Sequence, residues 1–322
     1  MFEANEDYYL GAPRIKNFVY KIVNEETAQV ELINGDLDVI SMLSTPTDES
    51  MQTYTDNGIR ITEFSYTGYV CMFYNTQLEK LGNAKIRQGI TTAINRRGIV
   101  ESLLNNHGCV MDAPIFYDSW AYPDDLNPYD YDPEQAKRLL AEGGVADTDG
   151  DGKLDMNGEP YALSILCPSG NKVRELAAVV IQQNLTEIGI DVTLETLEFN
   201  TVMERAYYGS DFDMALVGWT TGLDPYTVYS CFCTENQLVD GTANKSRWAM
   251  AELDEMMIAG TRTTDREARA ALYYQIAHIL NENQPECWLY SPNQIRASRP
   301  ELQNYALNNS CEFLNVQDWY FE

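Results

Sequence analysis

One apolar stripe runs directly into an alternating segment, and that junction limits the folds open to this chain. Val173, Leu176, Ala177, Val180, Ile181, Leu185 and Ile188 recur at helical spacing, so they line one face of a helix. Gly189 follows, and glycine enters the left-handed conformation that closes helices without steric cost. Ile190, Val192 and Leu194 then alternate with polar residues, as a half-buried strand requires. A helix delivered straight into a strand is a building block of layered α/β architecture.

The same alternation extends along the chain. Residues 18–23 read as a β-branched strand, 28–33 as a helix closed by Gly35 and 38–42 as the next strand, together a βαβ unit. Residues 83–93 place Ile86, Ile90, Ala93 and Ile94 on one helical face, and 99–104 add a further turn or two. Asp132 and Pro133 form a helix start, because aspartate caps free amides and proline suits the first helical position. Asn200 is expected to cap a short helix reaching Tyr208, and residues 212–219 form a nearly continuous apolar strand that stops at TTGLDPYT. Thr264 with Glu267 predicts a capping box ahead of a long helix, after which 287–290 return to strand. The expectation is an α/β fold with mixed sheets.

Charge removes several function classes. The 22 basic and 49 acidic residues leave a formal charge of −27, which repels nucleic acid phosphates and anionic lipid surfaces. No apolar run is long enough to span a bilayer, and no basic segment followed by an apolar one marks a signal peptide. The seven cysteines include no Cys-x-x-Cys pair, and only His107 and His278 could add imidazole ligands, so zinc has little support and buried structural thiols are expected.

The acidic stretch ADTDGDGKLDMNGEPY supplies the one metal candidate. Asp147, Asp149, Asp151 and Asp155 match the carboxylate positions of an EF-hand loop, Gly152 its turn glycine and Lys153 its carbonyl position. Gly158 stands where the bidentate glutamate belongs, and residues 161–167 read as a strand instead of the exiting helix. The expectation is a helix-loop-strand turn that takes Ca²⁺ weakly, if at all.

Several phrases in one order resemble the large solute-binding proteins of bacterial ABC importers, family 5, whose members bind oligopeptides, dipeptides or nickel. They are FEANEDYYLGAPRIKNFVYKIVNEETAQVELINGDLDV, YNTQLEKLGNAKIRQGITTAINRRGIV, DPEQAKRLLAEGG with the DTDGDGKLD loop, DFDMALVGWTTGLDPYTVY, and the closing AELDEMMIAGTRTTDREARAALYYQIAHILNENQPECWLYSP. The resemblance implies a two-lobe, type II periplasmic-binding-protein-like fold whose first lobe is incomplete in this chain. Residues 1–73 would be the remainder of lobe one, 74–290 lobe two, and 291–322 a return to lobe one. It further implies an extracytoplasmic receptor, at the cell surface or in the periplasm, with a peptide or similar polar solute and an ABC permease as partners. A signal segment, a smaller extra domain and part of lobe one would lie outside this sequence, leaving unpaired strand edge and apolar surface.

Candidate ligand contacts follow from residues and resemblance together. Trp219 ends an apolar strand and precedes Thr220, Thr221 and Gly222, a pattern by which a strand edge opens into a cleft. The resemblance implies a pocket tryptophan there, and an aspartate soon after it that pairs with a peptide α-amine. Here that place holds Thr221 or Gly222, and the first acid is Asp224, which favours ligands whose amine is blocked or absent, or an amine anchored elsewhere. Tyr74 and Asn75 fall at the resembled hinge, equally open to a packing role, and Arg247 is weighed as a carboxylate partner or a solvated surface cation. Two other classes stay open on composition: a carboxylate-dependent saccharide hydrolase and a calcium-dependent structural or adhesion module. No Gly-x-Ser-x-Gly elbow or phosphate-binding Gly-x-x-x-x-Gly-Lys loop is present.

Overall fold

The helix-to-strand junction at Gly189 leads into an edge strand of a three-layer unit in the computed structural model, which describes residues 1–40, 46–236, 244–305 and 313–322. The helix Lys172–Glu187 begins where Asn171 accepts a hydrogen bond from the Arg174 amide at 2.9 Å. Gly189 has φ +99°, and a Cβ there would lie 2.6 Å from the Gly152 carbonyl oxygen. Conformation and space both demand glycine at this point. The strand Asp191–Leu197 then pairs in parallel with Ala162–Pro168, which pairs in parallel with Met214–Thr220.

Two antiparallel strands complete that sheet within residues 67–292: Gly68–Tyr74, and beyond it the first half of Glu286–Ser298. Side chains alternate across it and feed two cores. Met214 and Leu216 join Ile86, Ile90, Ile165, Ile181 and Leu185 on one face. Ala215 and Val217 join Leu253, Tyr273, Ile276, Leu280 and Trp288 on the other. Helices Ala251–Arg262 and Arg266–Asn283 supply that second layer.

The other unit comprises Met1–Tyr66 and Asn293–Glu322. Strands Val39–Ile40 and Arg60–Ser65 pair antiparallel with the second half of Glu286–Ser298, and Ala28, Leu32, Tyr54, Ile59 and Ile295 form the core. A cavity of about 650 Å³ opens in this unit, lined in part by Phe18, Val23, Leu302 and Trp319. Phe2, Tyr9, Leu10, Val19, Tyr20 and Ile22 are exposed. The units divide between Tyr66 and Thr67 and between Pro292 and Asn293, whereas the sequence placed the changes after residues 73 and 290.

Four local expectations change. The strand expected over 18–23 is confined to Asn17–Phe18, which pairs with Phe2–Glu3, while Val39–Ile40 pairs with Ala297–Ser298. Among the described residues, 18–40 form no βαβ unit, because β-branched residues extend a strand only where a partner edge accepts them. The end of the strand expected over 38–42 lies outside the described residues. Glu198, not Asn200, caps the short helix Phe199–Val202, which continues as a π-helical turn over Met203–Gly209. Asp265, not Thr264, caps Arg266–Asn283 by accepting the Ala268 amide. The acidic loop interrupts its helix-to-strand passage with a small antiparallel sheet of Val145–Ala146, Asp155–Met156 and Glu159–Pro160. Asn157 and Gly158 both have positive φ in its last turn, the pairing favoured in a two-residue hairpin. A hairpin glycine therefore occupies the position a calcium loop reserves for glutamate.

Among the described residues, Cys71, Cys167, Cys231, Cys233 and Cys287 are buried free thiols and Cys109 is a half-buried one. Cys311 lies outside them. No helix among the described residues is long and apolar enough to cross a membrane.

Candidate functional site

Open α/β sheets present ligand sites at the carboxyl ends of their parallel strands. Here that edge is where Met214–Thr220 emerges: Val217 is buried, Gly218 and Thr220 are exposed, and Trp219 is partly buried between them. The Trp219 ring packs on the second core and stacks on Tyr207, with centroids 6.4 Å apart and an interplanar angle of 28°. Tyr207 comes from the π-helical turn, and the Lys245 ammonium lies 3.6 Å from its centroid. Cation and stacked rings form one aromatic surface beside an open strand end.

The loop after Trp219 is held from both sides. Thr221 is buried, and its amide and hydroxyl both donate to the Thr67 carbonyl, at 2.8 and 3.2 Å. Asp224 accepts two hydrogen bonds from Arg269, Nη1 to Oδ2 at 2.6 Å and Nη2 to Oδ1 at 2.7 Å, and a third from the Tyr226 amide. Hydrogen bonding to Arg269 holds the Asp224 carboxyl below the usual carboxylate range. Asp224 thus shapes the loop, with its acceptor capacity largely taken.

Tyr74 and Asn75 are not brought to Trp219 in the same way. In the strand register Trp219 pairs with Tyr69 and Met214 pairs with Tyr74, a separation of roughly 17 Å along the strand. Tyr74 is fully buried, its hydroxyl 3.2 Å from that of Thr91. Asn75 is buried too and donates to the Ser210 and Phe212 carbonyls. Arg247 is buried, contrary to the solvated surface reading, and burial lowers its pKa. Its carbonyl accepts from Gln77 Nε2 at 2.9 Å, which ties it to the segment after Asn75. Burial and these hydrogen bonds tie all three into the interior near that segment.

In the acidic loop, Asp147, Asp149 and Asp151 bring carboxylate oxygens within 4.8 Å of one another. Asp147 accepts the Gly150 and Gly152 amides, Asp149 the Asp151 amide and Asp151 the Lys153 amide. Asp155 stands outside this cluster, one carboxylate oxygen engaged by the amide and hydroxyl of Thr148. Those bonds lower its pKa. Sequence spacing therefore assembled three of the four carboxylates.

Sequence reasoning missed Tyr207, Arg269 and Arg174. Tyr207 and Arg269 act through partners distant in sequence. Arg174 projects over Gly218 on the sheet face opposite the Trp219 ring.

A mixed sheet covered on both faces, with a second unit reached through one continuing strand, is the fold of type II periplasmic binding proteins. The family model for bacterial extracellular solute-binding proteins, family 5, matches residues 1–238, and the chain belongs to that family. It is 32% identical to the oligopeptide-binding protein AppA of Bacillus subtilis over 99% of this chain and 58% of that protein. The dipeptide-binding protein of Escherichia coli is 24% identical over 95% of this chain and 56% of its own length. Among solved structures, Bacillus subtilis AppA in complex with a nonapeptide aligns with TM-score 0.81 and 31% identity, over 99% of this chain and 63% of that one. NikZ of Campylobacter jejuni in complex with Ni(L-His) shares the fold at TM-score 0.81 and 23% identity, over 99% and 64%. The chain thus spans somewhat more than half the length of the curated relatives it matches.

Proposed function

We propose that this chain contributes the solute-binding face of an extracytoplasmic receptor that delivers a peptide to the permease of an ABC importer. The observation that carries the reading is its 32% identity, along 99% of its length, to a protein named for binding oligopeptides. The residue 67–292 unit is read as lobe two and the other as the remainder of lobe one. Trp219 and Tyr207 supply a broad apolar platform, and Thr220 an exposed hydroxyl and backbone at the strand end. The hydrolase and adhesion readings have no counterpart among the relatives named above.

Native mass spectrometry of the protein isolated from cells, followed by calorimetric titration with the peptides it retains, tests the reading. Bound peptides recovered unchanged support a receptor. Cleaved saccharide instead of retained peptide would overturn it. Replacing Trp219 by Ala is expected to weaken peptide binding by about 2–4 kcal/mol. A Trp219→Ala variant that melts much earlier and keeps its affinity would reduce Trp219 to a core residue.

A further inference from the structure

We propose that His107, Cys109 and Met111 form a three-coordinate site for a soft monovalent cation, Cu(I), separate from the peptide platform described above. The three occupy alternate positions of the run that enters and leaves the strand Gly108–Val110, so in extended backbone they share one face. That strand pairs with Tyr290–Pro292, and the Met111 amide continues the ladder by donating to the Leu289 carbonyl at 3.5 Å. The shared face is the one turned to the second core, with Met111 inside it and Cys109 packed at its margin. Cys109 is the one cysteine among the described residues that is not buried. An ion can therefore reach it from solvent, whereas the other described thiols are closed.

Two sulfurs already converge there. Cys109 Sγ lies 4.0 Å from Met111 Sδ, and sulfurs bound about 2.3 Å from one metal ion at trigonal angles stand about 4.0 Å apart. The pair is spaced for a shared ion before one enters. Thiolate and thioether are both soft donors, and together they select Cu(I) over divalent ions that favour carboxylate oxygen. His107 Nε2 is buried, and an imidazole on the same alternation supplies a third donor suited to copper. Burial pushes the Cys109 thiol up to about 11, with the Asp118 and Asp112 carboxylates adding to the rise. Near pH 7 it therefore keeps its proton until the ion arrives. Binding then exchanges one for the other: the S–H bond breaks, the S–Cu bond forms, H⁺ is released, and no electron is transferred. The carboxylates that disfavour a bare thiolate attract the incoming cation.

The probe is Cu(I) itself, titrated without oxygen into the full 322-residue chain against bicinchoninate, a chromophoric Cu(I) chelator. The chain carries Cys311→Ser, because Cys311 lies outside the described residues and would otherwise compete. One ion is expected to bind, and Cys109→Ser, Met111→Leu and His107→Asn are each expected to weaken it at least about tenfold. Met111→Leu nearly conserves side-chain volume, so an unchanged melting temperature separates loss of a ligand from loss of the fold. Iodoacetamide labelling with peptide mapping reads the site independently of the chelator: Cu(I) should protect Cys109, and protect it less in Met111→Leu. A chain that takes no Cu(I) from bicinchoninate overturns the proposal. Parental affinity in any one of the three variants overturns it too, as does Cys109 protection that Met111→Leu leaves unchanged.

Discussion

Arg269 grips Asp224 with both arms of its guanidinium, at 2.6 and 2.7 Å, across 45 residues of sequence. The Asp224 side chain is 54% exposed, so solvent screens much of the attraction, and the pair is worth about 1 kcal/mol or less. Its larger effect is on the loop that follows Trp219. The carboxyl is held below its usual range, so the pair's stabilisation is complete above the ordinary aspartate pKa and is lost as pH falls through the lowered folded value. Melting curves of parent and Asp224→Asn should differ at neutral pH and converge in acid. Curves that stay parallel to the lowest pH would show that the pair contributes nothing pH-dependent.

Glu286 predicts the opposite pH slope. Its carboxyl is wholly buried, and burial pushes its pKa up to about 7, with partial offset from hydrogen bonds involving Cys71, Ser246 and Trp288. Between the usual 4.5 and that value the folded state holds a proton that the unfolded chain has released, so stability from this group falls as pH rises across the window. The loss is on the order of 3 kcal/mol at most. Urea unfolding at pH 5 and pH 8 should show that loss in the parent and a flatter response in Glu286→Gln. Identical slopes would remove Glu286 as the source.

Tyr74 and Asn75 are expected to affect stability and leave binding alone. Tyr74→Phe removes one hydrogen bond with Thr91 and should cost about 1 kcal/mol. Asn75→Ala strands the Ser210 and Phe212 carbonyls and should cost about 1–3 kcal/mol. Denaturant titration gives the cost, and peptide titration of the same variants checks the separation. A Tyr74→Phe protein of parental stability and weakened peptide binding would return Tyr74 to the ligand site.

For the acidic loop we propose a weak calcium site formed by Asp147, Asp149 and Asp151. Their carboxylates repel at such short range unless a cation or solvent intervenes. Without the bidentate glutamate, affinity should be in the range of about 10⁻⁴–10⁻³ M. At ten times Kd, binding adds about 1.4 kcal/mol, a rise of a few degrees in Tm. Asp149→Ala should abolish that rise. A melting temperature indifferent to calcium in the parent leaves a turn closed by its own amide hydrogen bonds.

Where a segment's structure followed from contacts a few residues apart, it was legible in the sequence. The apolar stripe and Gly189 bound one helix, Asp132 and Pro133 started another, and the apolar run closing in Gly218-Trp219-Thr220 marked the strand end now offered as the site. The cap shifted from Thr264 to Asp265 because either side chain can satisfy the same amides, and local geometry chose. Residues 18–23 had strand propensity and no edge to pair with, so most of the expected strand did not form. Propensity is local, but pairing is not. Strand register buried Tyr74 and left Gly218 open, and it took Glu286 into the core despite its charge. Only the tertiary structure set Arg269 against Asp224, Tyr207 under Trp219 and Arg174 over Gly218, because each contact joins elements that sequence spacing cannot bring together.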